Sequence, residues 1–325
     1  MTTRITRRTA LAGLSATIAG PAVASSALAQ SGTVTIIHGF TPGGNVDLTA
    51  RLVAEKLGAR LGQNIIVEQR IGAGGTTAAA AVARANPDGT TLWIATGGHA
   101  VSAAIYSKLA FRPLEDFSWI TMLSDFPFVL VTYPDHPAKD LADFIRMAKA
   151  ENNKLLVATA GNGTGMHMAL ELFAATAGIK VQHLPYRGSP QAATDLLGKR
   201  VDAFMDNMTV VAEMVRDGRL RALGITGPSR FFTLPDAPTI AEAGVPGYAV
   251  TSWLGLAGPA GMPPALVARI NAEMTAILKD PATLERLKVI GSDPRPTTPE
   301  AFRDRVASDI EKWTKVVADA GIQKI

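Results

Sequence analysis

The sequence predicts an α/β protein of two lobes with a mainly parallel sheet in each. Three observations predict it. Short apolar runs of strand character alternate with amphipathic stretches of helical period through much of the chain. Gly and Pro punctuate the junctions, as in Pro87-Asp88-Gly89. From about residue 266 onward the chain reads as helix with little strand, so that region needs a sheet face supplied by an earlier part of the chain. Of the 325 residues, 47% are hydrophobic and 18% charged, which is enough apolar material for a buried core and excludes a disordered chain. The length itself favours two domains.

Residues 1–29 read as an export signal. Arg4, Arg7 and Arg8 form a positive start, a small and weakly apolar stretch follows, and Ala27-Leu28-Ala29 is a cleavage site of A-x-A type, with cleavage after Ala29. Arg7-Arg8-Thr9-Ala10-Leu11 partly matches a twin-arginine signal, and the general export route stays open beside it. Gly13, Ser15, Gly20 and Pro21 interrupt the apolar run, which argues against a spanning helix. Removing this segment takes away three Arg and no acid, so the net charge falls from +4 to +1. A nearly neutral surface is a poor footprint for nucleic acid. The chain has no Cys, which excludes disulfides, thiolate metal sites and a cysteine nucleophile.

The elements then follow in order. Apolar runs at 34–37, 64–68, 92–95, 128–132, 155–159, 181–184, 203–205 and 220–225 are expected strands. Amphipathic patterns at 47–61, 76–85, 141–149, 167–177, 191–197 and 210–216 are expected helices between them. Residues 266–278, 282–289 and 299–320 are three further helices. The economical arrangement places residues 30–130 and 252–325 in lobe 1 and residues 131–251 in lobe 2. The chain would cross near 128–134 and return near 248–256, with hinges at 132–134 and 251–253.

Three times a strand runs into a Gly-rich turn that opens a helix: Thr41-Pro42-Gly43-Gly44-Asn45-Val46-Asp47, Gly72-Ala73-Gly74-Gly75-Thr76-Thr77, and Ala160-Gly161-Asn162-Gly163-Thr164-Gly165. Glycine lets a ligand approach the peptide plane, and the first turn of a helix presents unpaired N–H groups at the positive end of its dipole. Loops at the C-terminal ends of strands are where open α/β sheets bind ligands. A tight turn alone also explains any one such loop, and the middle one reads as mainly structural. The spacing of Gly161, Gly163 and Gly165 is not a dinucleotide fingerprint, and the chain has no G-x-x-x-x-G-K-[ST] run. Neither the first nor the third loop carries Lys or Arg, which suits a carboxylate held by neutral donors better than a polyphosphate.

The runs Gly39-Phe40-Thr41-Pro42-Gly43-Gly44-Asn45-Val46-Asp47, Val67-Glu68-Gln69-Arg70-Ile71-Gly72-Ala73-Gly74-Gly75 and Ala85-Asn86-Pro87-Asp88-Gly89 resemble the Bug/TctC family, the extracytoplasmic solute receptors of tripartite tricarboxylate transporters. His183-Leu184-Pro185-Tyr186-Arg187-Gly188-Ser189, Thr194-Asp195-Leu196-Leu197-Gly198 and Leu234-Pro235-Asp236-Ala237-Pro238-Thr239 agree in order. The resemblance implies a periplasmic receptor of type II periplasmic-binding-protein (Venus flytrap) fold, which closes on a small carboxylate and delivers it to membrane permease subunits. It further implies a monomer, and no metal or cofactor is expected. Carried over, Thr41, Gly43, Gly44 and Asp47 on one lobe and Ala160, Gly161, Gly163 and Thr164 on the other would pinch the carboxylate. Asp47 has a second reading, as a charge that complements its own helix. Tyr186, Arg187 and Gly188 would line the cleft, with Arg187 as the cation for a distal carboxylate or simply a surface residue. Phe40 offers aromatic surface, as do Phe126, Phe128 and Trp253, for which core or hinge packing is the nearer explanation. Asp206 would face the cleft or cap a helix. His38 and His99 would shape the ligand's far end or serve as buried structural histidines.

Two other classes use the same residues. A periplasmic sensor subunit would share the cleft and differ in its partner. A serine hydrolase would need Ser189, His183, His167 and Asp195 assembled as a nucleophile set, but the G-x-S-x-G elbow is missing from the sequence. His167 and Glu171 have i, i+4 spacing and make a weak metal pair without a third ligand nearby in sequence. The expectation is therefore a receptor and not an enzyme.

Overall fold

The computed structural model describes residues 32–150 and 154–325. The export signal expected at 1–29 lies outside the described residues. Strand β1 (Val34–His38) is followed by α1 (Asn45–Leu61), β2 (Ile65–Gln69), a 3-10 turn (Ala73–Gly75), α2 (Thr76–Val82), β3 (Thr91–Thr96) and α3 (Gly98–Ile105). The long β4 (Phe117–Thr132) leads into α4 (Leu141–Ala150), β5 (Leu156–Thr159), α5 (Gly165–Ala177), β6 (Gln182–Pro185), α6 (Ser189–Leu197), β7 (Ala203–Asn207), α7 (Met208–Arg216) and β8 (Arg221–Ile225). Then come β9 (Thr251–Pro259), α8 (Pro264–Ile277), α9 (Pro281–Ile290), β10 (Asp293–Pro294) and α10 (Pro299–Asp319).

The strands form two ladders that share β4. In the first, β2, β1 and β3 run parallel, and β9, β4 and β10 complete the order with antiparallel pairings. In the second, β6, β5 and β7 run parallel, and β4 then pairs antiparallel with both β7 and β8. The sheet is therefore mixed. Its parallel part comes from strand–helix–strand crossovers, and its antiparallel part from the strands that pass between the two halves. Strand β4 changes partners between Pro127, which pairs with Thr251, and Phe128, which pairs with Asn207. That switch falls at the start of the expected crossing at 128–134. The expected strands and helices are present. The sequence reading lacked the first part of β4, β9 and α3.

Local chemistry fixes the helices that matter for the cleft. Helix α1 stops at Gly62, whose left-handed backbone (φ 66°) donates its N–H to the Gly58 carbonyl. Helix α5 starts at Thr164, whose hydroxyl accepts from the His167 N–H, and stops at left-handed Gly178. Helix α10 is capped by Thr298 and begins with Pro299. It covers the first ladder through Phe302, which is fully buried and meets Trp119 and Trp253 edge-on with ring centroids 5.2 and 5.1 Å away. Trp253 adds a hydrogen bond from Nε1 to Asp309 at 2.7 Å. The C-terminal helices thus pack on the sheet that opens the chain, as the helix-only reading of that region requires. Among the described residues no helix is long and apolar enough to cross a membrane.

Candidate functional site

Five helices point their N-termini at one chamber. Its wall includes Gly44 and Asn45 of α1, Gly98 of α3, Thr164 and Gly165 of α5, Gly188 and Ser189 of α6, and Asn207 at the start of α7. Helices α1, α3 and α6 begin without a side-chain cap, so their first N–H groups are not taken by their own cap residues. Each N-terminus carries roughly half a positive charge, so the electrostatics of the chamber favour negative charge. Phe40, Phe126, Phe128 and Leu254 give it an apolar wall, and no charged side chain is among its lining residues. Its volume is about 50 Å³, several times the room one water needs.

A wider vestibule of about 740 Å³ adjoins it and shares Phe40, Thr41, Ala160 and Thr164. Tyr186 and Arg187 lie in its rim with Ile71. Arg187 is exposed and forms no ion pair among the described residues. Tyr186 donates from its hydroxyl to Asp195 at 2.8 Å, and burial together with that carboxylate pushes the phenol up to about 12.

The two halves of the molecule touch across this cleft. A Cβ placed on Gly188 of the second half would lie 2.0 Å from the Thr41 hydroxyl of the first. A Cβ on Gly74 would lie 2.9 Å from the Asn162 carbonyl oxygen, and one on Gly163 (φ 70°) would lie 2.8 Å from the Tyr106 ring. Glycine is required at Gly188 by this close approach and at Gly163 by both approach and left-handed backbone.

Of the expected residues, Phe40, Thr41, Gly44, Ala160, Thr164 and Gly188 line the chamber, and Gly161, Tyr186 and Arg187 line the vestibule. Five others, Gly43, Asp47, His99, Gly163 and Asp206, line neither cavity. Asp47 accepts hydrogen bonds from Gly43 N–H and Arg51 Nε, both at 3.1 Å, and from Gln69 Nε2 at 3.0 Å, and His38 Nε2 lies 3.3 Å away. Burial would raise its carboxyl, but the bonds from Arg51, Gly43 and Gln69 outweigh it and hold the group below its usual range. Asp47 and Gly43 thus shape the first loop from within, and burial lowers His38 beneath them. Gly163 turns its N–H to His167 Nδ1 at 3.3 Å. Gly161 likewise turns its N–H to the Thr159 hydroxyl at 3.3 Å, so the third loop's glycine amides brace the loop. His99 is packed in a box of Trp93, Phe111, Phe117 and Trp119, with Nε2 2.7 Å from the Pro113 carbonyl oxygen. Burial pushes it down to about 4. Asp206 is fully buried and accepts from Ser189 Oγ at 2.9 Å.

Sequence reasoning missed Asn45, Asn207 and Ser252 on the wall and left Phe126 and Phe128 to the core, whereas Thr96 and Gly98 belong to a run, Thr96-Gly97-Gly98-His99, that ends an expected strand and is expected to reach the cleft. Ser252 and the two Phe residues arrive on the crossing strands and depend on a register the sequence does not print.

The hydrolase set is dispersed. Ser189 bonds to Asp206, His183 lies 2.6 Å from the Thr159 hydroxyl, and Asp195 pairs with Tyr186 and Arg200. The fold does bring His183 to His167 and Glu171, with one ligand-type atom of each lying within 4.8 Å of the others. The two imidazoles stack at 4.2 Å with 16° between their planes, and a cation cannot lie in both nearly parallel planes. His167 Nδ1 is taken up by the Gly163 N–H, and its Nε2 faces Glu171 at 3.6 Å. The trio reads as two stacked imidazoles with Glu171 beside them, behind the third loop. Burial, reinforced by His167, pushes His183 down to about 4. Since His99 and His183 both have folded values near 4 against 6.5 unfolded, their stabilising contribution is complete above pH 6.5. It is lost as pH falls toward 4. Urea midpoints should therefore drop between pH 6.5 and 4, and a His99→Phe/His183→Phe double variant should drop less. Equal slopes would show that these rings do not carry the effect.

The profile of the tripartite tricarboxylate transporter family receptor (TctC) matches residues 49–322. Protein BugT of Bordetella pertussis is 34% identical over 322 residues, covering 98% of each chain. Among solved structures, R. palustris Rpa4515 with adipate superposes with a TM-score of 0.87 at 32% identity, covering 91% of this chain and 99% of that one. MatC from Rhodopseudomonas palustris with bound malate superposes with a TM-score of 0.83 at 35% identity, covering 88% of this chain and 98% of that one.

Proposed function

The chain belongs to the tripartite tricarboxylate transporter receptor family, and on that premise we propose that it captures a small carboxylate in its cleft and hands it to a membrane permease. The observation that carries this reading is the convergence of five helix N-termini on a chamber without a charged side chain in its wall. Such a wall favours one carboxylate held by neutral donors over a phosphate, which draws Lys or Arg. Thr41, Gly44, Ala160, Thr164 and Gly188 are the proposed grip, with Phe40 against the ligand's apolar body. Arg187 and Tyr186 at the rim would meet a distal carboxylate of a longer diacid. Asp47, Gly43, Gly161, Gly163 and His99 act by holding this wall in place.

The proposed mechanism is a population shift. Ligand that touches both lobes favours the closed form, because only closure completes its hydrogen bonds. We place the lobe boundary at 127–128, where β4 changes partners, and at 250–251, where the chain passes from Val250, bonded to the Thr226 carbonyl, into β9. Periplasmic delivery through residues 1–29, a monomeric state and docking to permease subunits belong to the same proposal. Relatives with adipate and with malate make those two acids the first probes. In a thermal-shift screen of carboxylic acids, a cognate acid at about 100 times its Kd should add about 2.7 kcal/mol of stability. A panel in which neither diacids, hydroxyacids nor aromatic acids move the midpoint would overturn the reading.

A further inference from the structure

The chamber has an acid behind its wall that the proposed grip does not use. Asp206 ends β7 with no exposure. Its Oδ1 accepts from Ser189 Oγ at 2.9 Å, while its Oδ2 is buried without a partner. A charged carboxylate offers about four acceptor sites, so the ionised form is under-satisfied here, whereas a proton on Oδ2 removes the charge. Ser189 and Asn207, which flank this carboxyl, are both on the chamber wall. The ladder partner of Asp206 is Val129.

Charged groups on the elements around it are engaged elsewhere. Asp125 of β4 pairs with Arg305, and Asp195 of α6 with Arg200. Next to β7, Asp202 takes the Leu156 N–H and faces His136. His167 and Glu171 of α5 face each other, and His183 of β6 stacks on His167. On α7, Arg216 donates to the Thr233 carbonyl, and Glu213 is exposed. None of them is hydrogen-bonded or ion-paired to Asp206 among the described residues.

Resting on the receptor reading of this chamber, we propose that Asp206 couples capture to a proton: an anion entering the chamber is accompanied by a proton taken from solvent onto the Asp206 carboxyl. Two negative charges on either side of one serine hydroxyl oppose each other in a buried site, and protonating the acid relieves the opposition. The first N–H groups of α6, which no cap residue takes, then serve the ligand. Burial already pushes Asp206 up to about 7, against the pull of Ser189 and the Asn207 N–H, so a bound anion has only to tip a half-filled site.

Calorimetric titration with adipate and with malate at pH 8, in buffers of differing ionisation enthalpy, tests this. Wild type should take up at least about half a proton per bound acid, and its affinity should fall by up to about tenfold per pH unit above 7. Asp206→Asn should bind with no uptake and a flat pH profile. Ser189→Ala, which removes the hydroxyl that donates to Oδ1, should move the break in the wild-type profile to higher pH. Binding without proton uptake by wild type overturns the inference and leaves the receptor reading intact. If neither acid binds, the receptor reading loses its first probes and the ligand-free protein decides the inference. The folded state then holds a proton that the unfolded chain releases above 3.8, so wild type should lose stability relative to Asp206→Asn between pH 4 and 7. A gap that stays constant over that range overturns the proposal.

Discussion

Gly188→Val should weaken carboxylate binding by about 100-fold or more while leaving the fold in place. The added Cβ would stand 2.0 Å from the Thr41 hydroxyl and 3.1 Å from Thr41 Cβ and Cγ2. Thr41 follows β1 and Gly188 follows β6, so the collision joins the two halves and exists only when they are together. Opening the cleft relieves it at no cost to either core, so the unfolding free energy should change by under about 1 kcal/mol. Closing against the clash is what the ligand must then drive, and its affinity falls by that amount. Titration calorimetry reads the loss, and small-angle scattering should show a more open molecule. Thr41→Gly in the same chain should recover part of the affinity. A Gly188→Val protein that binds as wild type does would mean that the two loops need not meet.

The largest loss of stability is expected from Phe302→Ala, about 3–5 kcal/mol. The ring is fully buried between Trp119 and Trp253 and fills the space that Gly255 leaves open. A Cβ at Gly255 would lie 2.0 Å from the Phe302 ring, so the glycine and the ring are complementary shapes. Truncation leaves a cavity under α10, and rigid β4 and β9 on its floor cannot collapse into it. Denaturant unfolding measures the loss, and Phe302→Leu should keep more than half of the stability. A cost below about 1 kcal/mol would show that α10 is held mainly by its other contacts.

The fold was legible where local pattern decides it. Alternation of apolar runs and helical periods marked the parallel strands and their helices, and glycine-rich turns marked both faces of the cleft. The first part of β4 was illegible because Ser118, Thr121, Ser124 and Asp125 break its apolar run, while strand β9 contains Gly255 and Gly258. Cross-strand pairing, not propensity, makes them strands. The site was legible at Thr41, Gly44, Thr164 and Gly188, where loop chemistry is local. The outward or backward direction of an amide was not. Gly161 and Gly163 look like donors until Thr159 and His167 are seen behind them. His99 could not be separated from a ligand contact until Trp93 and Phe111 closed around it.

Strand β4 gives its first stretch to one ladder and its last to the other. Neither half is therefore a transferable module. A polypeptide ended at Pro127 would leave β3 and the first stretch of β4 without β9 between them, and one begun at Phe128 would leave β9 without both of those partners. Expressing the halves as separate fragments should give insoluble material, whereas co-expressing them gives each its missing strand. Insertions and fusion partners belong at surface turns such as Gly244 and Gly247, where a Cβ meets nothing within 4 Å.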